Sequence, residues 1–476
     1  MRDLSPLLAP RSVAVIGAST NPSKSGGILF KNLVDGGYGG LLYPINPRAD
    51  SVLGHRAYPR ISETPGPVDL AFIVLPRAGV REALADCGAR GVRAACIVTA
   101  GFAEAGETGR RDEEALRTIA REKQILTVGP NTIGIVVARH QLFGSFVPFP
   151  SWEPGPISIF AQTGIFGGAI MLQAMSQDAQ RPGIGLSLDV GNKVDVDELD
   201  FLEFARQDPA TTVIGLYLEG IRDPRAFLKA AGQVKDTKPV VVLRPGRTRD
   251  GARASASHTG ALALDDRVLD AALRQYGIVR ADDAEDFLAY LKALAWLPLP
   301  AGRRVGIVTY SGALGVMATD DLVQAGLHLA EFSTETLGRL AQVLPDWQAP
   351  GNPSDLWAAL DVRGNRAGHE EPFEAVLSDP QTDMVLGLLL APPNADFPEV
   401  REVFSGLRSR HPDKPLVLVI YGGEVRGRWV RELEGLHIPV YPSPRAAVRS
   451  LWALASYSAA RRKSRGTREP LSPHAG

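Results

Sequence analysis

A single histidine stands in a stretch of small and hydroxyl-bearing residues that could carry chemistry. His258 lies within Ala254-Ser-Ala-Ser-His-Thr-Gly-Ala261, and Arg247, Arg249 and Arg253 come shortly before it. Small neighbours leave an imidazole uncovered, and nearby cations favour an anion at that place. The pattern therefore indicates a histidine that works on an anionic group. An ordinary Ser/Thr/Gly loop with a solvated histidine is the alternative.

Two segments place a hydroxyl residue and a glycine between an apolar strand and a helix start. They are Thr163-Gly164 and Ser311-Gly312. The free backbone N–H groups of a helix N-terminus, together with a hydroxyl group, form an anion-binding site. If both segments face one phosphate, a histidine that reaches it could be phosphorylated and stabilised there. For each segment, a plain cap before a buried helix is the alternative.

Glu219 follows an apolar run in Leu216-Tyr-Leu-Glu-Gly220. Binding sites of open α/β sheets lie at the carboxyl ends of the strands, where this residue is expected. A carboxylate there can take the proton on one imidazole nitrogen and aim the other nitrogen as a nucleophile. The alternative is a surface glutamate at a strand end.

The glycine- and serine-rich loop at 17–27 suits the binding of nucleotide phosphates, although it does not read G-x-G-x-x-G. The next predicted strand ends in Asn46-Pro47-Arg48, where an NAD site would show an acidic residue. A cation there suits a ligand with an extra ribose phosphate, such as NADP or coenzyme A. A structural turn is the alternative.

Four acidic residues, Asp195, Asp197, Glu198 and Asp200, could suggest a metal site. Their spacing is typical of a solvated helix start, and we favour that interpretation. No metal site is therefore expected in this chain. Zinc-ligand spacing, a Walker loop and a nucleophile elbow are also missing from the sequence.

Buried parallel strands and intervening helices must position these groups. Between residue 12 and about residue 138, apolar β-branched runs alternate with helical stretches such as 79–91 and 109–123. The predicted strands are 12–17, 40–45, 70–75, 94–99 and 125–129. This alternation predicts an α/β fold with a doubly wound, Rossmann-like sheet.

Two proline-rich stretches, 146–156 and 297–302, divide the rest of the chain. We expect domains at 1–140, 156–298 and 303–460, followed by a basic, disordered tail at 461–476. The second and third domains read as duplicated flavodoxin-like units, since four segments recur in the same order. The pairs are 159–167 with 307–315, Gly191-Asn-Lys-Val-Asp195 with Gly351-Asn-Pro-Ser-Asp355, 208–211 with 379–382, and 238–243 with 414–419.

Bulk composition excludes several classes of protein. The 476 residues are 45% apolar and 22% charged, and the net charge is -1, so no basic field points to nucleic acid or an anionic membrane. No run of about 18 apolar residues suggests a membrane span. Only Cys87 and Cys96 occur, which suits a reducing compartment. We therefore expect a cytoplasmic protein.

Several segments together resemble the α subunit of the NDP-forming acyl-CoA synthetases, the ADP-forming acetyl-CoA synthetase branch of the succinyl-CoA synthetase superfamily. They span nearly the whole chain in the family's order, and the segment around His258 is the most specific. The matching segments are 12–19, 43–47, 129–131, 191–193, 218–220, 251–253 and Ser257-His-Thr-Gly-Ala-Leu262.

The resemblance implies a synthetase in which an acyl phosphate and a phosphohistidine link acyl-CoA to a nucleotide. His258 would take the phosphoryl group on a mobile loop, and Glu219 would orient it. Thr163-Gly164 and Ser311-Gly312 would bind the phosphate. The coenzyme A site would be formed by Gly17, Ala18, Ser19, Thr20, Arg48, Val98, Thr99, Ala100 and Asn131.

The resemblance also implies that the chain works with a partner subunit. No ATP-grasp domain is visible, so ATP or ADP with Mg²⁺ would bind a separate ATP-grasp β subunit, in an α₂β₂ assembly. Two segments depart from the family pattern. Ile165-Phe166 adds bulk near the expected acyl pocket, and Tyr310-Ser311 alters the second phosphate turn. A coenzyme A- or acyl-CoA-binding regulatory protein without catalysis is the alternative. An NADP-dependent oxidoreductase is disfavoured by the missing fingerprint.

Overall fold

The computed structural model describes residues 2–150, 152–169, 183–259, 265–391 and 399–466, and the side chains at 169, 255–259, 361 and 464–466 lie outside this description. The chain divides into two compact units. The described residues up to Arg280 form the first unit, and those from Ala281 onward form the second.

The first sheet of the N-terminal unit is parallel and follows the predicted alternation of strands and helices. The main helices between its strands are Ser25–Asp35, Arg77–Arg90 and Glu107–Lys123, after a short helix at Ser5–Leu8. The strands of this region are β1 (Ser12–Ile16), β2 (Leu41–Ile45), β3 (Ser51–Val52), β4 (His55–Arg56), β5 (Leu70–Ile73), β6 (Ala94–Ile97) and β7 (Leu126–Val128). The order in the sheet is β2-β1-β5-β6-β7, while β3 and β4 form a separate hairpin. Strands such as β1 are buried along their whole length, as expected for a parallel sheet covered on both faces.

The second sheet of this unit has seven strands. They are β8 (Gly134–Val137), β9 (Leu142–Ser145), β10 (Ile157–Ala161), β11 (Ile184–Asp189), β12 (Val213–Tyr217), β13 (Val240–Leu243) and β14 (Val279–Ala281). Their order is β14-β13-β12-β10-β11-β8-β9. The antiparallel pair β8 and β9 joins this sheet through β11, so residues 134–145 extend the second sheet. Its helices are Glu198–Gln207, Pro224–Val234, Arg249–Thr259 and Asp266–Gln275.

The second unit contains the third sheet. Its strands are β15 (Arg304–Thr309), β16 (His328–Leu329), β17 (Ser354–Asp355), β18 (Met384–Ala391), β19 (Leu416–Gly422) and β20 (Val440–Tyr441). The order is β16-β15-β18-β19-β20, with β17 also paired to β15. The helices are Ala284–Trp296, Gly312–Gln324, Thr334–Val343, Trp357–Ser378, Val400–Arg410, Glu424–Glu434 and Pro444–Gly466.

The parallel cores of the second and third sheets share one topology. The order β11-β10-β12-β13-β14 and the order β16-β15-β18-β19-β20 are both 2-1-3-4-5 when each set of strands is numbered along the chain. This is the flavodoxin-like order, in which the first strand is central and its carboxyl end lies at the topological switch point. The predicted fold class, a Rossmann-like sheet followed by two flavodoxin-like sheets, is confirmed.

The domain boundaries stay predictions, and the structure adds two observations to them. Helix Ala284–Trp296 packs within the second unit, where Lys292 Nζ donates to Glu434 Oε1 at 2.6 Å. The last helix continues to Gly466, six residues into the predicted tail, and residues 467–476 lie outside the described ranges. In the part of the chain that the structure describes, no helix combines the length and apolarity that a membrane crossing requires.

Candidate functional site

Glu219 lies at the carboxyl edge of the second sheet and is held there by its backbone. Glu219 is 5% exposed, so it is not a surface glutamate. Strands β10 and β12 are parallel neighbours, with Ala161 opposite Tyr217. This register brings Gln162 beside the end of β12, where its Oε1 accepts the backbone N–H groups of Glu219 at 2.8 Å and of Gly220 at 3.0 Å.

Two aromatic side chains lie beside the Glu219 carboxylate. The Tyr217 hydroxyl donates to Glu219 Oε1 at 3.3 Å. The Phe166 ring stacks on the Tyr217 ring, with centroids 4.1 Å apart and planes inclined by 18°. We did not predict a role for Tyr217 from the sequence, although its position two residues before Glu219 places both on one face of the strand end.

The turn at Thr163-Gly164 follows β10 directly. The Thr163 carbonyl accepts the N–H groups of Phe166 at 3.2 Å and of Gly167 at 3.1 Å, and the chain continues as a π-helical turn at Ile165–Ala169. A Cβ on Gly164 would lie 2.5 Å from Ile133 Cγ2, so a larger residue here would require the Ile133 side chain or the turn to shift. Residues 170–182 lie outside the description. Phosphate binding at this turn stays a prediction.

Asp189, which our sequence reasoning missed, adds a second carboxylate to the same edge. It ends β11, is 1% exposed, and accepts the N–H groups of Ile133 at 2.8 Å and Gly191 at 3.2 Å. Burial raises the pKa of the Asp189 carboxyl to about 6, its hydrogen bonds oppose the rise, and the Glu219 carboxylate adds to it. A signal existed in the sequence, since a charged residue ends an otherwise apolar run.

The loop that carries Asn131 connects the edges of the first two sheets. Its backbone N–H donates to the Thr99 carbonyl at 2.9 Å, and its side-chain Nδ2 donates to Asn192 Oδ1 at 3.3 Å. The Thr132 hydroxyl donates to the Asp189 carbonyl at 2.6 Å. The end of the predicted coenzyme A site and the Glu219 edge are therefore joined by direct hydrogen bonds within one unit.

The loop after β1 has the close backbone packing expected of a phosphate-binding turn. Gly17 has a φ of 92°, and a Cβ there would lie 2.3 Å from the Val74 carbonyl oxygen. The Ala18 carbonyl accepts Asn46 Nδ2 at 2.8 Å, and Ser19 Oγ accepts the Asn21 N–H at 3.1 Å. The loop leads into helix Ser25–Asp35, so its N–H groups lie at the switch point of the first sheet.

The other predicted coenzyme A residues lie along the same edge. Arg48 is exposed after β2, and Thr99, which follows β6, donates its hydroxyl to the Leu75 carbonyl at 2.6 Å. Val98 is buried and Ala100 is exposed. Four strand spacings separate β2 from β7, which is roughly 19 Å at about 4.8 Å each. An elongated ligand is needed to reach from Arg48 to Asn131.

The backbone of His258 lies in a helix. Our prediction of a loop in this stretch is therefore wrong for the residues up to Thr259. Helix Arg249–Thr259 begins after Thr248, whose Oγ1 accepts the Gly251 N–H at 3.0 Å. A threonine cap and several alanines favour helix in this small-residue stretch. The His258 side chain and residues 260–264 lie outside the description, so its pairing with Glu219 stays a prediction.

Ser311-Gly312 is a helix start in the second unit. Ser311 is the cap of helix Gly312–Gln324, and its N–H donates to Thr309 Oγ1 at 3.1 Å. A Cβ on the exposed Gly312 would lie 3.4 Å from Asp355 Oδ2. A carboxylate beside this helix start opposes an anion there, and our sequence reasoning did not foresee it.

The acidic segment at 195–200 is a helix start, as predicted, but it is not solvated, since Glu198 is 2% exposed and pairs with Lys193 Nζ at 2.6 Å. Asp197 caps helix Glu198–Gln207 and accepts the N–H groups of Leu199 and Asp200. Arg2 binds Asp195 at 2.5 Å and Asp200 at 2.9 Å. Within the described ranges, no three His, Cys, Asp or Glu side chains are grouped as metal ligands.

Comparison with known proteins identifies the family. A model of a CoA binding domain matches residues 11–138, and a model of a succinyl-CoA ligase-like flavodoxin domain matches residues 154–294. Subunit alpha of acetate–CoA ligase (ADP-forming) I from Pyrococcus furiosus is 36% identical over 96% of this chain and 98% of that protein. The chain belongs to the ADP-forming acyl-CoA synthetase family.

Two further members of this synthetase family extend the match. Acetate–CoA ligase (ADP-forming) II from Archaeoglobus fulgidus is 37% identical over 97% of this chain and 68% of that protein. A solved structure of dinucleotide-forming acetyl-coenzyme A synthetase 1 from Ca. Korarchaeum cryptofilum, in complex with phosphate and ADP, has a TM-score of 0.90 at 33% identity and covers 99% of this chain and 100% of that one. The predicted family is confirmed, and the comparisons favour coenzyme A over NADP. They give no support to a regulatory protein without catalysis.

Proposed function

We propose that this chain is the α subunit of an ADP-forming acyl-CoA synthetase that works through a phosphohistidine. Acyl-CoA, ADP and phosphate are interconverted with a carboxylic acid, coenzyme A and ATP. The observation that carries the proposal is the buried Glu219 carboxylate, held at the sheet edge between Gln162 and Tyr217. A residue fixed in this way can orient an imidazole for nucleophilic attack.

The proposed reaction proceeds through one acyl transfer and successive phosphoryl transfers. A phosphate oxygen attacks the thioester carbonyl, the C–S bond breaks, and coenzyme A leaves as a thiolate that takes up a proton. One imidazole nitrogen of His258 then attacks the phosphorus of the acyl phosphate. The P–O bond breaks, and the carboxylate leaves with its electron pair. Glu219 holds the proton on the other imidazole nitrogen throughout this second transfer. In a third transfer, a terminal phosphate oxygen of ADP attacks the phosphorus, the P–N bond breaks, its electron pair returns to the imidazole nitrogen, and ATP leaves.

The Thr163-Gly164 turn is our proposed site for the phosphate. It lies at the central strand of the second sheet, one strand away from Glu219 on one side and from Asp189 on the other. We assign Ser311-Gly312 the counterpart role, although Asp355 lies beside that helix start. The family resemblance supports this second assignment, and the local charge weakens it.

We place coenzyme A along the carboxyl edge of the first sheet. Its phosphates would meet the Gly17-to-Thr20 loop, with Arg48 at one end and Thr99 and Asn131 at the other. The span of roughly 19 Å between β2 and β7 suits the length of this ligand. The hydrogen bonds around Asn131 and Asp189 support a thioester that reaches the phosphate turn.

The nucleotide site belongs, in our proposal, to a separate ATP-grasp β subunit. That subunit would bind ATP or ADP with Mg²⁺, and the two chains would form an α₂β₂ assembly. One observation supports a second polypeptide. The Pyrococcus relative is named as a subunit alpha.

Labelling of the chain with phosphate tests the proposal. The full chain is co-expressed with an ATP-grasp partner and given γ-labelled ATP and Mg²⁺, and base-stable, acid-labile label on this chain is measured. We expect label on the wild type and on His140→Ala, an exposed histidine of the same unit, and none on His258→Ala. A partner that binds ATP but transfers no label to this chain would overturn the proposal.

A further inference from the structure

Tyr217 and Glu219 form a buried hydrogen-bonded pair at the end of β12. The exposed fractions of the two residues are 8% and 5%, and the tyrosine hydroxyl lies 3.3 Å from Glu219 Oε1. Glu219 lies two residues beyond Tyr217, the last residue of β12, and the hydrogen bond places both side chains at the same end of this strand. Tyr217 therefore contacts the carboxylate itself, whereas Gln162 contacts only the Glu219 backbone.

Phe166 restricts the position of the tyrosine. Its ring is 8% exposed and stacks on Tyr217 with centroids 4.1 Å apart. A stacked ring removes much of the freedom of Tyr217 to rotate about its side-chain bonds. Because Phe166 belongs to the turn that begins at Thr163, the same short segment forms the phosphate turn and fixes the tyrosine beside Glu219.

The hydroxyl is a permanent donor. Burial raises the pKa of Tyr217 far above its ordinary value, and the Glu219 carboxylate raises it further. The tyrosine consequently keeps its proton over the whole range in which enzymes work.

We propose that Tyr217 is a positioning residue for phosphoryl transfer, whose hydroxyl, held by the Phe166 stack, fixes the Glu219 carboxylate that orients His258. This inference rests on the proposed function. Glutamate has three side-chain torsions, and Gln162 fixes none of them, since it bonds to the backbone. The Tyr217 bond limits rotation of the carboxylate group.

The test is the labelling rate of Tyr217→Phe, which removes the hydroxyl and keeps the stacked ring. The full chain is mixed with acetyl [³²P]phosphate, and initial rates are measured against donor concentration from pH 5 to pH 9. We expect kcat for labelling to fall roughly tenfold with little change in KM, as for a lost hydrogen bond to a charged group. The acid limb of the pH profile should move to higher pH, because a carboxylate that loses a hydrogen-bond donor binds a proton more readily.

A second substitution and a control separate positioning from stability. Phe166→Leu should lower kcat in the same direction by a smaller factor, since the hydroxyl remains while the stack is lost. Tyr38→Phe is the matched control, because the Tyr38 hydroxyl donates to the Pro10 carbonyl at 2.7 Å away from the site. It should leave kcat and the pH profile unchanged.

The outcomes distinguish this inference from the function on which it rests. A labelled wild type together with an unchanged rate and pH profile in Tyr217→Phe would overturn the inference alone. An equal loss in Tyr217→Phe and Tyr38→Phe, with no shift of the acid limb, would also overturn it. A wild type that takes no label from acetyl phosphate and none from ATP with an active partner would overturn the proposed function, and the inference with it.

Discussion

The Asp189 carboxylate accepts the backbone N–H of Ile133 at 2.8 Å, and this bond holds the end of the loop between the first two sheets against the end of β11. Ile133 follows the Asn131 loop, while Asp189 ends β11, next to the Thr163-Gly164 turn. A coenzyme A thioester at Asn131 and a phosphate at Gly164 would meet on either side of this contact. The buried carboxylate thus has a structural role between the two proposed substrate sites.

Asp189→Asn should flatten the pH dependence of stability. The pKa of this carboxyl is about 6 in the folded chain against an ordinary 3.8, so its contribution to stability is complete below pH 3.8 and is lost as the pH rises through 6. The loss amounts to about 3 kcal/mol. Hydrogen exchange of the amides in β10 and β12 at pH 4 to 7 measures it. The exposed Asp35→Asn should keep the wild-type pH dependence, and an equally steep decline in Asp189→Asn would refute this account.

Gln162→Leu should destabilise the end of β12. Two backbone N–H groups, of Glu219 and Gly220, would lose their acceptor, at about 1–3 kcal/mol each if they stay buried. Gln162→Glu keeps an oxygen acceptor of the same length and should retain most of the stability. Urea unfolding followed by circular dichroism compares the two variants. Equal stability of Gln162→Leu and the wild type would show that water replaces the glutamine oxygen.

Gly17→Ala should weaken coenzyme A binding roughly tenfold or more, because the loop after β1 must move. The new Cβ would lie 2.3 Å from the Val74 carbonyl oxygen, at a φ of 92°. Gly54→Ala is the control, since its φ is 82° and a Cβ there meets nothing within 4 Å. Calorimetric titration with coenzyme A measures both variants. Equal affinities would place the ligand away from this loop.

His369 should make the second unit sensitive to acid. It is 1% exposed, its Nδ1 donates to the Asn365 carbonyl, and its Nε2 accepts the Tyr310 hydroxyl, so the imidazole is neutral. Burial lowers the pKa of His369 from 6.5 to about 4. Its contribution is therefore present above pH 6.5 and is lost as the pH falls through 4, by about 3 kcal/mol.

Hydrogen exchange in β15 and β18 between pH 7 and pH 4 measures this sensitivity. His369→Gln should reduce the decline of protection with falling pH, because glutamine does not titrate. His328→Gln, at an exposed histidine of the same unit, should decline like the wild type. An unchanged decline in His369→Gln would assign the acid sensitivity to other groups.

The sequence by itself determined the buried strands and the place of the main groups along them, although it did not reveal the helix that carries His258. Apolar β-branched runs of four to six residues predict β1, β5, β6 and β12, because strands covered on both faces need no polar alternation. Glu219 and the Gly17 loop could be assigned to carboxyl ends of strands for the same reason. The Ser257-His258 segment also carried its family signal without any structure.

Only the tertiary structure decided which side chains meet at the site. Gln162 and Glu219 are 57 positions apart, and Asp189 and Ile133 are 56 apart. Parallel neighbours are joined by long crossovers, so sequence spacing carries no information about which strand ends become adjacent. For the same reason, the sequence did not reveal that Asp355 lies beside Gly312 or that the Tyr217 hydroxyl donates to Glu219. Burial, which gives Asp189 its high pKa, is likewise a property of packing, because it depends on what the other strands place around the carboxyl group.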